Sequence, residues 1–200
     1  MKDMLRVTIR RVLLVCFCVA LLATAFIFEP GVKATPVDLS MLAQEVKVNP
    51  EVRTVAKYMK TRNSKLPIEL AEIQAQAIVD VATEEHLPVE LLVGITETES
   101  IPPFNPFSES SVGAAGLMQI YQAPNVTISQ ERRFDIRYNL ELGSTILKGK
   151  LAATKGDLTK ALAMYSGNAG DYASRVYECV GRYSMYRVRT NDKTMDVAKN

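Results

Sequence analysis

Glu99 ends an apolar stretch and is followed at once by Ser100, Ile101 and two prolines. Leu92, Ile95 and Glu99 stand at i, i+3 and i+7, so on a helix the carboxylate shares the apolar face. A carboxyl drawn out of water resists ionisation. One that keeps its proton near neutral pH can act as a general acid and then, having given the proton up, as a base. The spacing alone leaves a helix-end charge reaching water equally open. Glu90, Gly94 and Glu97 fall on a different face, which is expected to be solvated.

Two further stretches carry polar groups suited to a sugar or another hydroxylated ligand. The first is Ser110-Ser111-Val112-Gly113-Ala114-Ala115-Gly116-Leu117-Met118-Gln119, where small residues let backbone come close to a ligand or a helix. Gln119 offers two amide donors and an acceptor, and Ser110 a hydroxyl. The second runs from Ala161 through Met164-Tyr165-Ser166-Gly167-Asn168-Ala169-Gly170 to Tyr172. Glu109 is a second carboxylate in the loop after Glu99, and a solvated loop charge is its ordinary reading. His86 has no partner in view and reads as a turn residue before Leu87-Pro88. With one histidine and three scattered cysteines no zinc site can be assembled in the usual way, so no metal and no cofactor is expected.

The elements that must hold these groups are helices. Apolar residues at Leu70, Ile73, Ala77, Ile78, Val81 and Ala82 predict a helix from Pro67 to about Glu85. Pro88 opens the next, Val89 to Glu99, and Pro102 disfavours helix at Ile101, which sets the stop at Glu99 or Ser100. Later helices are expected over 137–153, 158–165 and 171–182. No long alternating strand pattern is present. The class is mainly α. Residues 41–62, broken by Pro50, suggest two short amphipathic helices with no assignable task. Asn139 and Gly143 sit inside the 137–153 helix as packing residues.

Composition excludes several functions. With 48% hydrophobic and 23% charged residues the chain is an ordinary globular one, not a disordered tail. The formal charge is +2, and residues 1–28 alone carry Lys2, Arg6, Arg10 and Arg11 against Asp3, so the remainder is close to −1. That leaves no basic field for nucleic acid. Val12 to Phe28 is an uncharged apolar run of 17 residues, at the lower edge of what spans a bilayer. Positive charge ahead of it directs residues 29–200 outward. An uncleaved signal-anchor is favoured over a cleaved signal peptide, although Ala23-Thr24-Ala25 could be cut. The expected location is the inner membrane facing the periplasm, or export to the periplasm and cell envelope. Bacterial and phage origin both stay open. Cys16 and Cys18 lie in this run and Cys179 stands apart, so no disulfide framework exists, and Cys179 reads as a small buried hydrophobe.

Taken in order, Glu99-Ser100, Asn105-Pro106, Ser110-x-Val-Gly-Ala-x-Gly-Leu-Met-Gln119 and Ala163-Met164-Tyr165 resemble the core motifs of the soluble lytic transglycosylase (SLT) family, lysozyme-like enzymes that cut peptidoglycan glycan strands. The resemblance covers about residues 70–183. It implies a goose-type lysozyme-like helical domain over 67–185, after an N-terminal segment (1–28) and a linker with a short arm (29–66), and before a tail (186–200). It also implies that Glu99 is the single catalytic acid and base, acting on the β-1,4 bond between N-acetylmuramic acid and N-acetylglucosamine. Closure of a 1,6-anhydro ring on the muramic acid would replace attack by water. Ser110 would orient the N-acetyl group, Met118 and Gln119 would line the groove, Tyr165 would bring its hydroxyl to the acid, and Tyr172 would be a second groove tyrosine.

The chain departs from the family pattern at Ser166, where an Asn is usual, and in a longer Glu99–Ser110 loop that contains Glu109. A lysozyme-type muramidase using Glu109 is one alternative. A non-catalytic glycan-binding or scaffold component of an envelope-spanning assembly is another, though such a module has no reason to place a carboxyl at Glu99.

Overall fold

The computed structural model describes residues 49–121 and 128–197, with side chains as far as residue 190. The apolar run at 12–28, the linker and the first arm helix lie outside the described residues. Among the described residues no helix is long and apolar enough to cross a membrane.

Helix α1 (Pro50–Arg62) begins where the Asn49 side chain accepts from the Glu51 amide and Pro50 supplies a ready-made first turn. Val52, Val55, Ala56 and Met59 form its buried stripe. This corrects the expected domain start at residue 67, because that stripe is part of the same hydrophobic core as the later helices. Helix α2 (Ile68–Glu84) buries Ala71, Ala75, Ile78 and Val81. Ile73, one of the apolar residues that predict this helix, is 57% exposed, since its position falls off that stripe.

Helix α3 (Val89–Glu99) has the bounds that Pro88 and Pro102 predict, and Ser100 leaves it in an extended conformation. Residues Leu91 to Glu97 are all buried. A solvated face for Gly94 and Glu97 is therefore incorrect. Helix α7 (Tyr172–Val197) covers that side, so closely that a Cβ on Gly94 would stand 2.6 Å from Val180 Cγ2. Glu90, nearer the surface, pairs with Arg187 at 2.5 Å.

Between α3 and the second half of the domain lies a minimal hairpin, β1 (Ala114–Ala115) antiparallel to β2 (Ile120–Tyr121). Short helix α4 (Gln130–Phe134) follows, capped by Ser129, then α5 (Ile136–Ala153), capped by Asp135, and α6 (Leu158–Tyr165), capped by Asp157. Each cap side chain accepts an orphan amide of the first turn. Helix α7 runs on through most of the expected C-terminal tail. The packing order is α1 on α2, α2 on α5, α5 on α6, and α3 along α7. The last turn of α3 and the first of α7 thus meet beside the 101–121 loop and hairpin.

Candidate active site

Glu99 stands at the end of α3, half-buried, on the wall of a cleft of about 520 Å³. Burial raises its pKa above the ordinary carboxylate value of 4.5, because loss of water penalises the charged form. Two groups oppose that shift without cancelling it. The Tyr172 hydroxyl donates to Glu99 Oε1 at 2.6 Å, and the Arg175 guanidinium adds a nearby positive charge. The outcome is a carboxyl held protonated further toward neutral pH, with a donor in place to steady the anion when it forms.

Tyr172 is 2% exposed, and burial beside Glu99 drives its own pKa far above the usual phenol value. It is a permanent donor over any working pH. Its ring stacks on Tyr165 with centroids 6.4 Å apart, and the Arg175 guanidinium lies 5.7 Å from the same ring. Arg175 also pairs with Asp171 at 3.2 Å.

The two tyrosine hydroxyls have different hydrogen-bond partners. Tyr165 donates to the Met118 carbonyl at 2.9 Å, not to Glu99. The hydroxyl on Glu99 belongs to Tyr172, because the first turn of α7 faces the last turn of α3 while the end of α6 faces the hairpin. Met118 is fully buried and does not line the cleft. It packs against Gly143, where a Cβ would lie 2.4 Å from its sulfur.

Gln119 does line the cleft, but both amide hydrogens are committed to backbone, to Ser108 O at 3.0 Å and Gly116 O at 2.9 Å. Its carbonyl oxygen remains for a ligand. Ser110 lines the cleft as well, and its Oγ accepts from the Ala114 amide at 3.0 Å. That bond leaves the O–H to donate, and among the described residues no acceptor takes it. Gly116 adopts a φ of +82°, and a Cβ there would lie 2.2 Å from Asn139 Nδ2. Asn139 is buried and ties the hairpin to the end of α4 through three backbone groups. Its Nδ2 donates to Ala115 O at 2.9 Å and Arg133 O at 3.0 Å, while its Oδ1 accepts from Met118 N at 2.8 Å.

Glu109 borders the same cleft, tied to Arg133 at 3.2 Å and about half exposed. Ser166 closes a local turn, donating to Ala163 O and accepting from the Ala169 amide, and it too faces the cleft. His86 is exposed in a turn with φ of +55°. Cys179 is buried. Arg175, Ser108 and Ile101 line the cleft without having been picked out in the sequence. For Arg175 a signal existed in its spacing of three from Tyr172 at the start of a helix.

The Transglycosylase SLT domain model matches residues 76–178. The chain belongs to the SLT transglycosylase family, within the lysozyme-like superfamily. A protein named Transglycosylase from Enterobacteria phage PRD1 is 32% identical over 92 residues, which is 46% of this chain and 34% of the phage protein. The match thus spans about a third of that relative's length. The SLT region takes in Glu99, the hairpin loop, Tyr165 and Tyr172 together, and it stops short of α1 and of the second half of α7.

Proposed function

We propose that the SLT domain is a peptidoglycan lytic transglycosylase with Glu99 as its acid and base. The observation that carries this reading is a carboxyl whose pKa burial raises, facing an open cleft with the Tyr172 hydroxyl on one oxygen. Protonated Glu99 gives its hydrogen to the oxygen bridging C1 of N-acetylmuramic acid and C4 of N-acetylglucosamine. The C1–O bond breaks, the N-acetylglucosamine leaves with a new hydroxyl, and the muramic acid N-acetyl oxygen supports the cation at C1. Glu99, now a carboxylate, is steadied by the Tyr172 donor and the Arg175 charge. It next takes the proton of the C6 hydroxyl as O6 bonds to C1, which closes the 1,6-anhydro ring and restores the acid. An internal nucleophile has the advantage of intramolecularity over water. No metal enters the scheme.

Ser110 O–H and the Gln119 carbonyl oxygen are the polar groups best placed to meet the N-acetyl and hydroxyl groups of the sugar. A hydrolytic muramidase is the second reading, and the observation behind it is Glu109 on the same cleft. Digestion of purified sacculi decides between them. Products from the parent protein should be muropeptides one water lighter than the lysozyme products of the same wall. Reducing-end muramic acid would overturn the lyase reading in favour of hydrolysis.

The uncharged run at 12–28 with four basic residues ahead of it supports an envelope location, with the SLT domain outside the cytoplasm. An alkaline phosphatase fused after residue 40 should be active. Activity only of a cytoplasmic reporter at that point would sink this placement.

A further inference from the structure

The side chain of Glu97 is 2% exposed and lies two residues before the proposed acid. Three donors converge on it. Tyr58 Oη donates to Oε2 at 2.6 Å, Arg62 Nε to Oε1 at 2.6 Å, and Arg182 Nη2 to Oε1 at 3.1 Å. Residues two apart on a helix point about 200° away from each other. The grip on Glu97 and the aim of Glu99 therefore lie on opposite sides of one helical turn, the last before α3 ends. The same end of α1 also holds the loop that forms the facing part of the cleft. Asn63 Nδ2 donates to Pro103 O at 3.0 Å, and the Tyr58 ring meets the buried Phe104 edge-on at 6.2 Å.

We infer that the end of α1 is a positioning clamp for the active site, with Arg62 and Tyr58 fixing the Glu99-bearing turn through Glu97 and Asn63 fixing the 101–110 loop. Tyr58, Arg62, Asn63 and Arg182 all lie outside the region that the SLT family model matches. Glu97, which Tyr58, Arg62 and Arg182 grip, lies inside it. The clamp rests on the functional reading above, and it deepens it by naming what sets the orientation of the acid. The action is mechanical. The groups that tune the ionisation of Glu99 are its burial, Tyr172 and Arg175, and neither Arg62 nor Arg182 is among them.

A buried carboxylate with charged partners could also serve stability alone, so the test needs readouts that stability would not move. Arg62→Met removes one donor from the surface side while Tyr58 and Arg182 keep Glu97 paired. It should lower kcat on soluble glycan strands by about tenfold, since an ångström of misplacement can cost up to about a hundredfold. KM should stay within about twofold, and the alkaline limb of the pH profile should not shift. Amide hydrogen exchange should rise at residues 97–105 and stay as in the parent over α5 and α6. Arg62→Lys should recover part of kcat. If Arg62→Met fails to fold, Asn63→Ala decides instead, with faster exchange over 101–108 and a smaller fall in kcat. Parent-like kcat together with parent-like exchange at 97–105 would overturn the clamp, as would an activity loss matched by the unfolded fraction. Should the parent itself release no muropeptides, the functional reading fails, and exchange at 97–105 still decides the clamp.

Discussion

Tyr172, the first residue of α7, donates its hydroxyl to Glu99, the last residue of α3, at 2.6 Å. The two are 73 positions apart in sequence. The packing of α3 along α7 is what makes the bond possible, and Gly94 permits that packing by leaving room for Val180. The donor pulls the pKa of Glu99 down while burial pushes it up, and burial prevails.

Tyr172→Phe should therefore act in two ways at once. Losing the hydroxyl that steadies the anion should cut kcat/KM by ten- to a hundredfold, roughly 1.4–2.7 kcal/mol of transition-state stabilisation. The same loss removes an interaction favouring the charged form, so the alkaline limb should move to higher pH. Phenylalanine keeps the ring stacked on Tyr165. Tyr165→Phe should be milder in rate and leave the limb in place, because its hydroxyl holds the Met118 carbonyl. A pH profile of kcat/KM for both variants checks the contrast, and equal shifts in the two would refute it.

Asn139→Ala should be among the more destabilising single changes in the SLT domain. It leaves the Met118 amide and the Ala115 carbonyl without their buried partner. An orphaned buried group costs about 1–3 kcal/mol, so a loss of about 2–4 kcal/mol in urea unfolding is expected. A change under about 0.5 kcal/mol would mean that water replaces the amide without cost.

How much of this was legible in the sequence varies with the physics of each part. The bounds of α3 were legible because Pro88 and Pro102 punctuate it, and the order of the motifs pointed to Glu99. The place of Glu97 was not, because a helix read alone has one packing face, whereas α3 packs against both α2 and α7 and Glu97 is met by Tyr58 and Arg62 from the end of α1. The two-residue strands are too short to display an alternating period. The continuity of α1 with the core is not legible in the sequence for a different reason. Its apolar stripe was visible, but nothing along the chain says which helix a stripe will meet. Likewise the side chain of Gln119 has the chemistry to bind sugar, and only the fold directs both its hydrogens into the loop.

Glu109→Gln should leave most of the activity in place. The carboxylate is tied to Arg133 at the cleft margin, and an internal C6 hydroxyl needs no second base. A fall of less than about threefold in muropeptide release is expected. Loss as deep as that of Glu99→Gln, with reducing-end sugars from the parent, would make Glu109 the second catalytic carboxylate of a hydrolase.

Glu99→Gln gives the most exacting test, because one quantity should govern both stability and rate. Glutamine keeps the shape and still accepts from Tyr172, but it can neither give nor take the proton. The variant should fold, bind glycan and release nothing. In the parent, burial lifts the folded-state pKa of Glu99 above its ordinary value of 4.5. Below pH 4.5 both folded and unfolded states hold the proton, and the carboxyl imposes no penalty. As pH rises past that point the unfolded chain ionises first, so the parent loses stability until the folded carboxyl ionises too. Glu99→Gln has no such loss. Its stability advantage should be absent in acid, grow with rising pH, and level off at the folded pKa of Glu99. The alkaline limb of kcat/KM in the parent reports that same free-enzyme ionisation, since only protonated Glu99 can act as the acid. Thermal melts of both proteins across pH 3–9 should therefore level off where parent activity falls. A constant stability difference across that range would mean that burial does not outweigh Tyr172 and Arg175, and the raised pKa on which the acid role of Glu99 rests would be refuted.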